Sequence, residues 1–334
     1  GLLSFGFRLP VEANLALCAR FRSHNCSMPS PYILGLDLGG TSVKSVAVAP
    51  DGFRRAQYHQ PFDLEKPMAF AQAVAKVLQQ ATDELGRPAR VGLSAPGIAA
   101  RDGRTIAFMP GRFAGLEGLV WADYLDRPEG VPVVNDANAA LLGEVGFGAG
   151  RGAINAILLT LGTGVGGAVL VEGKLLQGHT GKAGHLGHVS LNSEGPPDIC
   201  QTPGSLEDAI GNHNIQQRSG GRFGTTHELI RAVDEGDAEA RELWLRSVRA
   251  LAAALASLAN VLDPEVAIIG GGIARSGETL FGPLREYLQV REWRPGGAGL
   301  RLVAAELGEL AGAYGAARWA GGVSLSPLSG PDPA

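Results

Sequence analysis

Cysteine is nearly missing from this chain. Its 334 residues hold three, Cys18, Cys26 and Cys200, too few and too scattered for a disulfide framework. A reducing, cytoplasmic setting is the expectation that follows. Neither sign of charge is in surplus: 29 Lys and Arg stand against 33 Asp and Glu, a formal charge of −4. That excludes a broadly basic face, so no nucleic acid and no membrane are expected as partners. No uninterrupted apolar run reads as long enough to span a bilayer. The excess lies in glycine, 49 residues in punctuated clusters, as many tight turns would require. Apolar content of 45% with 19% charged suits an ordinary globule, long enough for two domains.

The most informative stretch runs from Tyr32 to Val48. An apolar run, Ile33-Leu34-Gly35-Leu36-Asp37-Leu38, enters a Gly39-Gly40-Thr41 corner, and the β-prone Ser42 to Val48 leaves it. Strand, glycine turn, strand is the reading. A dinucleotide-binding loop would open into a helix instead. Gly39 and Gly40 let backbone approach an anion, while Thr41 and Lys44 add donors. Asp37 at the corner would suit a hydrated Mg²⁺ on a polyphosphate. A plain hairpin remains the alternative at this point.

The stretch Ala156 to Val171 repeats the plan, with Leu161-Gly162-Thr163-Gly164-Val165-Gly166-Gly167 at its corner. Together the two stretches resemble the phosphate loops of the sugar-kinase, actin and heat-shock ATPase superfamily. Within it, the chain is similar to the ROK family (repressors, open reading frames, kinases), from about Pro31 to about Ala320. Gly35 to Thr41 is similar to that family's first phosphate loop, and Leu161 to Gly167 to its second. The resemblance implies an α/β, two-lobed actin-like ATPase (ribonuclease H-like) fold, with mixed β-sheets flanked by helices. Residues 31–143 plus a C-terminal helix, about 311–322, would form the small lobe and 144–310 the large one. Residues 1–30, ending in Met28-Pro29-Ser30, read as a floppy extension or translated upstream region, too short for a DNA-reading domain.

Between the corners, Phe53 to Phe62 supplies a third antiparallel strand. A helix then runs to about Leu85, with Pro67 in its first turn and Phe70, Val74, Val77 and Leu78 on one face. The strand from Val91 ends in the Pro96-Gly97 turn. A further strand ends at Asn135-Asp136, before a helix that begins at Ala137 or Asn138. A carboxylate at a strand end in an open α/β sheet sits where ligands bind, although Asp136 capping its helix is the simpler role. Leu243 to Leu262 reads as a helix buried on most sides. Val266 to Ile269 reads as a buried strand entering Gly270-Gly271-Gly272, and Ala311 to Ala320 as a closely packed small-residue helix. The tail from Ser324 to Ala334 is expected to fray.

The resemblance assigns roles. It implies Asp136 as catalytic base, with Pro96, Gly97, Asn135, Asp136, His185, His188 and Glu207 around a sugar. It implies ATP and Mg²⁺ against Asp37, Gly39, Gly40, Thr41, Lys44, Gly162, Thr163, Gly164, Gly270, Gly271 and Gly272. The activity implied is phosphorylation of a hexose or N-acetylhexosamine hydroxyl, O6 by preference, by a homodimer. Two segments depart from the family pattern. Ala183-Gly184-His185-Leu186-Gly187-His188 has histidine where relatives carry the glutamate of Ala-Gly-Glu-x-Gly-His. Asp198 to Glu207 keeps one cysteine, Cys200, of the three in Cys-x-Cys-Gly-x-x-Gly-Cys-x-Glu. Asp198 and Ser205 replace the others, so no structural zinc is expected; a mixed site of His188, Cys200 and Asp198 is the alternative. Phe108-Met109-Pro110 also replaces the family's Asn-Leu-Pro. A sugar-sensing regulator, a non-catalytic sugar-binding protein and a polyphosphate-dependent glucokinase remain the rival readings. His59, His179, His213 and His227 have no constellation around them and read as solvated or locally bonded.

Overall fold

The computed structural model describes residues 31–322, so the readings of residues 1–30 and of the tail from Ser324 lie outside the described residues. Two five-stranded mixed sheets share one plan. In the first, β1 (Ile33–Leu38), β2 (Ser42–Val48) and β3 (Arg54–Pro61) form an antiparallel meander. Helix α1 (Ala69–Leu85) and β4 (Arg90–Ala95) follow, with β4 parallel to β1. A separate small hairpin of β5 (Ile98–Ala99) and β6 (Ile106–Phe108) and a single turn α2 (Trp121–Tyr124) then lead to β7 (Val133–Asn135), which completes the sheet in the order β3-β2-β1-β4-β7.

Helix α3 (Asp136–Phe147) leads into the second sheet. There β8 (Ala156–Leu161), β9 (Val165–Val171) and β10 (Lys174–Leu175) repeat the meander. Helices α4 (Leu206–Ile210), α5 (Ile215–Arg218), α6 (Thr226–Asp234) and α7 (Ala238–Leu262) come next. The parallel strands β11 (Val266–Gly270) and β12 (Arg301–Ala304), joined through α8 (Glu278–Arg291), close the order β10-β9-β8-β11-β12. The chain ends on α9 (Ala311–Gly321). The mixed sheets flanked by helices are those expected, and each glycine corner joins the first two strands of its sheet.

Four local expectations shift. Pro67 lies before α1 and not in its first turn; Met68, in the left-handed region at φ 55°, is the cap. The buried face of α1 is nonetheless the one read, Phe70, Val74, Val77 and Leu78. Helix α3 starts at Asp136, and Asn135 is its cap. Helix α7 starts at Ala238, where the Asp237 carboxylate accepts from Ala240 N–H, and its Ala253, Ser257, Asn260 and Val261 face outward. By length and composition alone α7 could cross a membrane, contrary to the sequence reading. Its other face, with Trp244, Leu251 and Leu255 essentially inaccessible, is instead core of the second sheet.

Helix α9 is the element that fastens the first sheet to α3. A β-carbon at Gly35 of β1 would overlap the Ala313 carbonyl, and one at Gly315 would overlap the Ala139 carbonyl of α3. Side chains would hold these backbones apart, so the small residues read from sequence are a packing requirement.

Candidate active site

The second corner lines a cavity of about 530 Å³ through Gly162, Thr163 and Gly164, facing Asp37 and Lys44 of the two strands that the first corner joins, with Asp136, Thr160, Glu207 and Gly271 completing the wall. A neighbouring cavity of about 390 Å³ takes in Gly270, Gly271 and Gly272, with Glu144 and Arg275. Residues from Asp37 to Gly312, nearly the whole described chain apart, thus face one space. Gly39, Gly40 and Thr41 are not among the residues that line it, and Gly39 N–H is taken inside its own turn by the Ser42 carbonyl at 3.0 Å. Gly162 N–H is likewise taken by the Gly164 carbonyl at 2.9 Å.

Asp136 owes its placement to Asn135. The Asn135 Oδ1 accepts from the backbone N–H of Ala137 at 3.0 Å and of Asn138 at 3.3 Å, ending the strand and starting the helix. Its Nδ2 donates to the Gly97 carbonyl at 2.8 Å and to Asp136 Oδ1 at 2.9 Å. With Asn135 doing the capping, Asp136 sits at the positive helix end with a face open to the cleft. Desolvation by the surrounding protein raises its pKa, against the Ala137 N–H, the Asn135 amide and the nearby His185, which pull it down. Pro96 precedes the Gly97 turn (φ 98°), which meets the site through the Asn135 amide; neither residue is among those lining the cavity.

Asp37 accepts from Ser94 Oγ at 2.6 Å. Burial pushes its pKa up to about 6; the Ser94 hydrogen bond opposes the shift and the Asp136 charge adds to it. Lys44 Nζ lies 2.8 Å from Glu309 Oε2, an ion pair from β2 to the turn before α9. Glu207 is buried, accepts from Val165 N–H at 2.8 Å and lies against Gly164, so it braces the second corner while lining the cavity.

His185 Nδ1 donates to the Lys182 carbonyl at 2.7 Å, leaving the rest of an exposed ring toward solvent. His188, Asp198 and Cys200 do come together, with their possible ligand atoms within 4.8 Å of one another. These groups already partner each other: His188 Nδ1 is 2.7 Å from Asp198 Oδ2, and Nε2 is 3.5 Å from Cys200 Sγ. Burial would raise the Asp198 pKa, but hydrogen bonds from His188, Thr202 N–H, Ser205 and Cys200 N–H outweigh it and hold the group near 2. Ser205 Oγ meanwhile caps α4 at Asp208 N–H. This cluster ties the segment carrying His188 to the loop that leads into α4, the helix bearing Glu207.

Sequence reasoning missed Ser94, Glu309, Arg112 and Glu144. Arg112 lies against Gly40, where a β-carbon would sit 2.5 Å from its Nη2. Glu144, fully buried, accepts from the N–H groups of Ala149, Glu306 and Leu307 and so fixes the segment leading to α9. No local pattern marks any of the four; only partners distant in sequence do.

A profile described as ROK family matches residues 33–322. A glucokinase of Thermotoga maritima is 35% identical over 311 residues, 87% of this chain and 97% of that protein. The ROK hexokinase of Thermus thermophilus superposes with a TM-score of 0.75 at 32% identity, over 86% of this chain and 97% of that one. A ROK family glucokinase from Streptomyces griseus, solved with glucose and AMPPNP, superposes with a TM-score of 0.66 at 29% identity, over 86% and 99%.

Proposed function

Because the chain belongs to the ROK family and is a phosphotransferase, we propose that it transfers the γ-phosphate of ATP to a hydroxyl, O6 by preference, of a hexose or N-acetylhexosamine. The observation that carries this reading is Asp136, held by Asn135 at a helix start and facing the cavity that the second glycine corner also lines. The raised pKa brings the carboxylate nearer to neutrality than an ordinary aspartate, which suits a group that must take a hydroxyl proton. As the sugar oxygen attacks the γ-phosphorus, Asp136 accepts its proton. General-base help of this kind is worth about 10²–10⁴-fold. Positioning and charge neutralisation supply the rest.

With Gly39 and Gly162 N–H bonded inside their turns, the phosphate donors we assign are the N–H groups of Gly40, Thr41, Thr163 and Gly164. Lys44 joins them by exchanging Glu309 for phosphate. Two carboxylates facing one space, with Asp37 pushed up in part by Asp136, is an arrangement a divalent cation relieves. Asp37 would hold a nucleotide-bound Mg²⁺ through water, and that ion would neutralise phosphate charge. The nucleoside would lie along Gly270 to Gly272. The sugar would meet Gly97, Asp136, His185 and Glu207, with Asn135 and His188 fixing the groups that touch it. We place the lobe boundary near Gly143, with α9 in the small lobe, and read the protein as a cytoplasmic homodimer.

The test is Asp136→Asn, assayed with ATP and with inorganic polyphosphate against a panel of sugars. Loss of turnover with sugar binding retained supports the assignment. A folded variant that phosphorylates at the normal rate would falsify it.

A further inference from the structure

Resting on the phosphotransferase reading, we propose that His213 is a positioning residue, an imidazolium that fastens the Gly162–Gly164 corner and makes nucleotide-phosphate binding depend on pH. The sequence reading left His213 without a role. In the structure it stands between two groups that can only accept. Its Nδ1 is 2.9 Å from the Thr163 carbonyl oxygen and its Nε2 is 2.9 Å from Asp208 Oδ1. A neutral imidazole has one N–H, so it can satisfy one of these contacts and must present a lone pair to the other. Both are hydrogen bonds only when the ring carries two protons.

The surrounding backbone points the same way. His213 N–H also donates to the Thr163 carbonyl, and Asn212 N–H donates to the Gly162 carbonyl, each at 2.9 Å. The segment after α4 is therefore laid along the second glycine corner, and the ring adds a third bond to it. Glu207 and Asp208 of α4 supply the negative charge around the ring. On the far side, Arg218 of α5 is occupied by the Gly211 carbonyl at 2.8 Å and Ser247 Oγ at 2.6 Å. Burial alone would discharge His213, but the Thr163 carbonyl and the two carboxylates outweigh it and raise its pKa.

When the ring loses a proton, the carboxylate keeps the N–H, being the stronger acceptor. Nδ1 then turns a lone pair on the Thr163 carbonyl. The corner that would offer Thr163 and Gly164 N–H groups to phosphate is pushed out of place, and a positive charge beside it is lost. His213 touches no reacting atom in this scheme, so the effect falls on nucleotide binding and not on the chemical step.

The experiment has two arms. Side-chain NMR of His213 in the free protein reads the ring's ionisation without any turnover. Two protonated nitrogens at neutral pH, the second proton lost above the ordinary histidine value, are expected; a ring already neutral at pH 7 overturns the proposal. The second arm measures KM for ATP and kcat against pH for the wild type and His213→Gln, whose amide donates but does not titrate. Wild-type KM should rise about fivefold as the ring discharges, with kcat nearly constant, and the variant should show a flat profile. A variant that retains the wild-type pH dependence of KM overturns it. A protein with no kinase activity would remove the phosphoryl-transfer reading, and the NMR arm together with ATP binding by calorimetry across the same pH range would still decide this one. The NMR arm also stands if the variant does not fold.

Discussion

The Asn135 amide nitrogen lies 2.9 Å from Asp136 Oδ1, while the carbonyl oxygen of the same side chain caps the helix that Asp136 begins. One residue therefore both starts α3 and aims the carboxylate. Asn135→Asp and Asn135→Ala separate the two roles. The aspartate can still cap but has no N–H for the Gly97 carbonyl or for Asp136, so a loss of about 1–3 kcal/mol is expected from that side alone. It also places a second negative charge beside Asp136, raising that pKa further and moving the acid limb of the pH–rate profile upward. The alanine loses the cap in addition and should cost about 1–2 kcal/mol more, as well as activity. Urea titrations with pH–rate profiles check both; equal behaviour of the two variants would refute the division.

Asp37 sets a stability trend opposite to that of an ion-paired carboxylate. Its pKa is raised from 3.8 to about 6, so between those values the folded chain binds more protons than the unfolded one. Stability contributed by this group is present at low pH and is lost as pH rises from about 4 to about 6. At about 1.4 kcal/mol per unit the change is at most about 3 kcal/mol. Asp37→Asn should flatten that segment of the stability curve. Chemical denaturation at closely spaced pH values is the measurement, and a variant that keeps the wild-type slope would contradict the assignment.

Asp198 carries the reverse sign. Held near 2 against an unfolded value of 3.8, it stabilises the fold above pH 4 and gives that up as pH falls toward 2. Asp198→Ala leaves His188 Nδ1 and the N–H groups of Cys200 and Thr202 without their acceptor. A loss of about 1–3 kcal/mol is expected, with faster amide exchange at Cys200 and Thr202. Unchanged exchange there would show that the loop is held by something else.

Gly315→Ala tests the attachment of α9. On an exposed helix this change would help slightly, since alanine is the better helix former. Here the methyl meets the backbone of Ala139, which cannot rotate away, so a loss of about 3 kcal/mol or more is expected. A thermal midpoint at or above wild type would mean that α3 and α9 do not pack this closely.

Much of this architecture was legible in the chain because it is local. Alternating and apolar runs bounded by glycine gave both hairpins, and the spacing of Phe70, Val74, Val77 and Leu78 gave the buried face of α1. The β-meander followed by parallel strands appears twice because the same local signals appear twice. Asp136 was legible too, as an acid at a strand end. The length of α7 and the capping of α3 were misjudged at their ends, where Asp237 and Asn135, polar residues outside the apolar pattern, set the boundary.

What the sequence by itself determined is the inventory: two glycine corners, an acid between them, and small residues along the last helix. Tertiary structure alone decided the partners. Asp37 acquires its raised pKa from burial and from a carboxylate 99 positions away, and His213 acquires two acceptors from a corner 50 positions earlier and a helix just before it. The physical reason is range. Backbone preference acts over a few residues and can be read along the chain, whereas desolvation and the charge state of a side chain depend on whatever the fold brings within a few ångströms of it.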